Sequence, residues 1–185
     1  MILIKNIKIL LALAAGFLVI AFGLYFDGKS NNSNIEQEAL MPNFDDILSQ
    51  INSIEFKNSE ESTIIKDIND QWLVTTAMNL PANTELLSRF FVQIKEAKVI
   101  GTKTNKSELF FKLGLDKESM QTLILKSKSN EILYSLDIGD FNYKIPGTYI
   151  KESSSSQSYL ISANLTTEVS NFYWEPNDLI NIGEE

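Results

Sequence analysis

The longest unbroken apolar run in the chain comes first: Ile9 to Phe26 (ILLALAAGFLVIAFGLYF) holds 18 residues without a charge. A helix of that length, at about 1.5 Å per residue, spans roughly 27 Å, close to the hydrocarbon thickness of a bilayer. Lys5 and Lys8 precede the run, Tyr25 and Phe26 stand where an aromatic belt belongs, and Asp27-Gly28 ends it. Positive charge before the span predicts a cytoplasmic N-terminus and an exported remainder. A cleaved signal peptide would need a cut after Ala14, which leaves almost no apolar stretch, or after Ala21, which is followed by bulky Phe22 and Tyr25. The expectation is therefore a cytoplasmic N-terminus over 1–8 and an uncleaved transmembrane helix over 9–26, in contact with membrane lipid. A flexible tether over 27–42 follows, and then an extracytoplasmic domain over 43–185.

Beyond the tether the apolar spacing alternates between periods of about 3.6 and 2. Phe44, Ile47, Leu48 and Ile51 predict a short helix over 43–51. Ile54 and Phe56, then Thr63–Ile68, then Trp72–Thr75 read as three strands of an antiparallel meander joined by polar turns. Leu86, Leu87, Phe90, Phe91, Ile94 and Ala97 form one helical stripe, capped by Asn83 or Thr84 and ending near Lys98. Val99-Ile100-Gly101 leads into a strand. Ser107 caps a shorter helix over Glu108–Leu113, closed by Gly114, with Leu109, Phe110 and Leu113 as its buried face. Period two then returns in Thr122–Ser127 and Ile132–Ile138, a hairpin about Lys128-Ser129-Asn130. A second hairpin, Thr148–Lys151 with Ser158–Ser162, turns through the serine-rich loop 152–157. A closing helix is expected over Leu165–Phe172, capped by Asn164. The order β-β-β-α-α-β-β-β-β-α predicts an α+β fold, mainly antiparallel sheet with helices packed on one face, behind the single N-terminal transmembrane helix.

Composition narrows the chemistry. The chain has 185 residues with no cysteine and no histidine, so disulfides, thiolate metal sites and the commonest general base are all excluded. Past Lys5 and Lys8 there remain 14 basic against 24 acidic residues, a net charge of −10. A surface of that sign repels nucleic acid, which is not expected as a partner. Acid–base work would fall to paired carboxylates, and two pairs are close in sequence, Asp67 with Asp70 and Asp137 with Asp140. Both pairs are placed by their neighbours at turns or strand ends, where Asp is favoured for its local hydrogen bonding. Ser153–Ser156 lack any nucleophile motif and read as a hairpin tip. Trp72, Tyr149, Tyr159 and Trp174 could form a ligand platform, although strand aromatics usually serve the core. No residue is assigned a catalytic, cofactor-binding or metal-binding role, and no cofactor is expected.

Five short segments in order, Trp72-Leu73-Val74, Pro81-Ala82-Asn83, Phe111-Lys112-Leu113-Gly114-Leu115, Leu136-Asp137-Ile138-Gly139 and Gly147-Thr148-Tyr149-Ile150, resemble the domain of unknown function (DUF) 4340 family over about 43–175. The resemblance implies a bacterial envelope protein behind one membrane helix. It further implies association with ABC-type, gliding-motility-like transport components, and supplies no catalytic residues. The functional expectation is thus a non-enzymatic, membrane-tethered binding or scaffold domain with a membrane-protein partner. The alternatives are an envelope polysaccharide hydrolase using paired carboxylates and a small-ligand module in the sheet.

Overall fold

Every strand expected from period-two spacing is present, and together they form one sheet. The computed structural model describes residues 38–165 and 169–176. The expected transmembrane helix over 9–26, the N-terminal 1–8 and the tether up to residue 37 lie outside the described residues. Among the described residues, no helix is long and apolar enough to cross a membrane.

The first helix, α1, covers Phe44–Leu48 and is shorter than expected, because Ile51 already belongs to β1, Ile51–Lys57. Ser49 and Gln50 close α1 by hydrogen-bonding the Asp46 carbonyl through their side chains. The meander continues through β2 (Ser62–Ile68) and β3 (Gln71–Val74) to a two-residue β4, Leu80–Pro81, which carries no signal of its own in the sequence. Asn69 and Asp70 join β2 to β3 with φ of 55° and 63°, the left-handed pair that suits the twist of a tight hairpin.

Helix α2 runs Thr84–Glu96, and the Asn83 side chain accepts a hydrogen bond from the Leu86 N–H, as its position ahead of the apolar stripe predicts. Strand β5 is Val99–Thr102. Ser107–Leu113 is a 3-10 helix rather than an α-helix, without a side-chain cap, and it ends at Gly114 with φ 64°. None of its seven residues is fully buried, so Leu109, Phe110 and Leu113 are a half-buried face, not a core one.

Strands β6 (Gln121–Ser127), β7 (Ile132–Asn142), β8 (Gly147–Glu152) and β9 (Ser158–Ile161) complete a nine-stranded sheet of order β4-β3-β2-β1-β6-β7-β8-β9-β5. All its pairings are antiparallel. The fold is mainly antiparallel sheet with few helices, the α+β arrangement expected.

The closing helix over Leu165–Phe172 does not form among the described residues of that stretch; a 3-10 turn covers Asn171–Trp174 instead. Backbone groups of this stretch bond to the sheet side. The Leu165 N–H donates to Thr148 Oγ1, and Thr63 Oγ1 donates to the Val169 carbonyl. The Trp174 carbonyl accepts from the Asn83 N–H at 2.7 Å.

One face of the sheet carries the main core. Ile54, Phe56, Ile65, Leu123, Leu125, Leu136, Ile138, Ile150 and Ile161 bury against Leu87, Phe90 and Ile94 of α2 and Phe44 of α1. Phe56 stacks on Trp174 at 4.4 Å between ring centres, and Phe90 meets Phe56 edge-on at 5.1 Å. Burying each of these side chains stabilises by about 1.5–3 kcal/mol. Across the sheet, Gly139 of β7 lies directly under Leu113 and Leu115; a Cβ there would collide with the Leu113 carbonyl oxygen. Before α1, residues 38–41 of the expected tether are joined to the sheet. Val99 N–H donates to the Glu38 carbonyl and Leu40 N–H to the Ala97 carbonyl, both at 2.8 Å, and Met41 is buried.

Candidate functional site

The two carboxylate pairs noted in the sequence have different fates. Asp137 stands inside β7, not at a strand end or turn, and is buried. Cross-strand register sets it opposite both Lys151 of β8 and Thr122 of β6. Its Oδ2 lies 2.7 Å from Lys151 Nζ, while Oδ1 accepts from Thr122 Oγ1 at 3.1 Å and Ser153 Oγ at 2.7 Å. Lys151 Nζ also reaches the carbonyls of Glu152 and Ser153 at 3.2 and 3.5 Å. The three ammonium protons and both carboxylate oxygens thus have partners, a network that ties β6, β7 and β8 together. Ser153, expected at a mobile tip, anchors this network and also meets Ser135 Oγ at 2.8 Å. Asp140 is exposed, beside Gly114.

Asp70 occupies the β2–β3 turn and is exposed, as its residue type suggests. Asp67 does not belong to the turn. It is the penultimate residue of β2, paired across the hairpin with Trp72, and its carbonyl accepts from Asn52 Nδ2 at 3.0 Å. Its side chain lines a cleft of about 420 Å³ between the end of α1, the β2–β3 hairpin and the first turns of α2. Apolar walls come from Leu48, Ile51, Trp72, Leu87 and Phe91, and hydroxyls from Ser49, Thr84 and Ser88. That volume lies in the roughly 300–1,000 Å³ range of ligand pockets. Asp67 Oδ1 is shut off from solvent and, among the described residues, has no hydrogen-bond partner.

Two further concavities are present. One of about 530 Å³ borders Gly139, Asp140, Phe141 and Tyr143; the other, about 210 Å³, is bounded by Arg89, Phe90, Tyr173 and Trp174. The four aromatics considered as a ligand platform are dispersed. Trp174 is in the core, Trp72 is half-buried in the Asp67 cleft, and Tyr149 Oη accepts from Asn142 Nδ2 at 2.7 Å. Tyr159 packs against the core from β9.

The Asp67 cleft was not legible as a site. Sequence proximity groups its carboxylate with Asp70, whereas α2, which closes the cleft, begins 17 residues later at Thr84. Among the described residues no group of acidic side chains is arranged to hold a metal ion. Neither the curated proteins nor the solved structures contain a match to this chain. The sequence model of the Domain of unknown function (DUF4340) matches residues 72–181, which is 110 of the 185 residues. The match begins at Trp72, the cleft aromatic, and takes in α2 and strands β4 to β9, so the chain belongs to the DUF4340 family.

Proposed function

We propose that this protein is a membrane-tethered, extracytoplasmic scaffold that binds a membrane-protein partner, with ABC-type transport components as the partner class. The observation that carries the reading is the 18-residue uncharged run preceded by Lys5 and Lys8, which tethers a domain beside the membrane with its N-terminus in the cytoplasm. Tethering raises the effective concentration of the domain at a membrane partner without any new contact. The sheet supports a binding role by offering a broad rigid frame. Its most polar buried cluster, Asp137 with Lys151, is spent on holding strands together. A hydrolase using Asp137 and Asp140 would need both carboxyl groups available across a cleft, and Asp137 is committed to Lys151.

The test is crosslinking of the full-length chain in intact bacterial envelopes. A discrete crosslinked species containing a permease or ATPase subunit is the expected result. Cleavage of isolated envelope polysaccharide by the purified chain, with no such species, would overturn the reading.

A further inference from the structure

We propose that the cleft between α1, the β2–β3 hairpin and α2 receives a lysine or arginine side chain of the protein partner, with Asp67 as its counter-ion and Trp72 as its wall. The proposal rests on the partner-binding reading above, and it names the chemistry of the contact.

Three observations converge on a cation. The first is the unmet oxygen. A carboxylate oxygen accepts up to two hydrogen bonds, and one buried without a donor has lost its hydration with nothing in return. Asp67 Oδ1 is in that position, under neighbouring side chains that an entering head group must displace to reach it. Unpartnered buried polar atoms are few in native proteins, and each has a reason. The neighbouring ion pairs do not reach it: Lys95 is engaged with Asp45, and Lys126 with Glu55, each at 2.7 Å.

The second is the charge of the lining. The residues that bound the cleft include one carboxylate and no lysine or arginine, so an anionic ligand is repelled and a cation neutralises the wall. The third is its shape and apolarity. Trp72 and Phe91 offer aromatic surface, and Leu48, Ile51 and Leu87 offer aliphatic surface. An indole face attracts an ammonium or guanidinium group, while the alkyl stem of a long basic side chain buries along apolar neighbours. A charge-assisted bond to the carboxylate then fixes the head group. Ser49, Thr84 and Ser88 leave hydroxyls at the cleft for the remaining donors and for backbone groups of the incoming segment.

The experiment titrates the full-length chain, in mild-detergent micelles, with two short blocked peptides that differ only in arginine against uncharged citrulline. Trp72 fluorescence reports occupancy, since the chain's other tryptophan, Trp174, is buried in the core. The arginine peptide is expected to bind saturably, at least tenfold more tightly than the citrulline peptide, and more weakly as salt rises. Asp67→Asn should remove the preference for arginine, Ser88→Leu should block both peptides by filling the cleft, and Asp140→Asn should change nothing. Equal binding of the two peptides, or an undiminished arginine preference in Asp67→Asn, overturns the proposal. Envelope crosslinking separates the two levels of the account. A partner still captured by Asp67→Asn as efficiently as by the unaltered chain sinks the cleft and spares the scaffold, whereas no captured partner in either chain sinks the scaffold itself.

Discussion

Lys151 and Asp137 face each other across β7 and β8 with Nζ and Oδ2 2.7 Å apart, and their side chains are only 10% and 6% exposed. An ion pair so placed adds little over an apolar pair of the same volume, but breaking it leaves one buried charge uncompensated. Asp137→Ala or Lys151→Ala alone should therefore destabilise by about 3–5 kcal/mol. The double change Asp137→Leu with Lys151→Met should cost far less than the sum of the single changes. Urea unfolding of the four proteins as a double-mutant cycle checks this. Additive effects would mean the two groups do not interact.

Residues 38–41 join the end of α2 and the start of β5, Leu40 through Ala97 and Glu38 through Val99, and bury Met41. A segment comprising 38–185 is expected to be soluble and to unfold cooperatively, with circular dichroism showing more strand than helix. A segment beginning at residue 43 should unfold at lower urea, since it loses those contacts. Coincident transitions for the two segments would show that residues 38–42 contribute nothing.

Phe90 sits at the crossing of α2 with the sheet, edge-on to both Phe56 and Trp174. Phe90→Ala should cost about 3–5 kcal/mol, the range for removing a buried aromatic ring. Val92, on the exposed side of the same helix, should tolerate Ala with a change of about 0.5 kcal/mol or less. Thermal unfolding of the two variants distinguishes the faces of the helix.

Tyr134 Oη is buried and, among the described residues, lacks a hydrogen-bond partner. Burial pushes its phenol well above the ordinary tyrosine range, and the Glu152 carboxylate adds to the shift. Because the folded state holds the proton more tightly than the unfolded state, the stability tied to this group is fully present below about pH 10 and falls as pH rises past that value. Tyr134→Phe should leave stability at neutral pH unchanged or higher, since it deletes an unsatisfied hydroxyl. It should also flatten the alkaline loss, which urea midpoints measured between pH 8 and pH 11 would reveal.

Local pattern carried most of the frame. Alternation marked the strands, and the stripe from Leu87 to Ile94 with Asn83 ahead of it marked α2 and its cap. What pattern could not carry is anything set by long-range pairing. β1 lies beside β6 and β5 beside β9, neighbours that no local period encodes. Asp137 looked like a strand-end acid because Gly139 and Asp140 follow it; only the register with Lys151, 14 residues on, makes it a buried ion-pair partner. Asp67 reads as a turn residue for the same reason, since it is the packing of α2 and α1 over the hairpin that puts it in a cleft. Leu165 and Val169 have helical spacing, yet their backbone groups bond to Thr148 and Thr63 of the sheet.

The central claim, an exported domain held behind an uncleaved span, is most directly tested by fusing alkaline phosphatase after Glu185 of the full-length chain in a Gram-negative host. Alkaline phosphatase matures only outside the cytoplasm. High enzymatic activity in the membrane fraction, with residues 1–26 still present in the mature protein by mass spectrometry, is the predicted result. Inactive fusion protein, or a mature N-terminus beginning after Ala14 or Ala21, would contradict it.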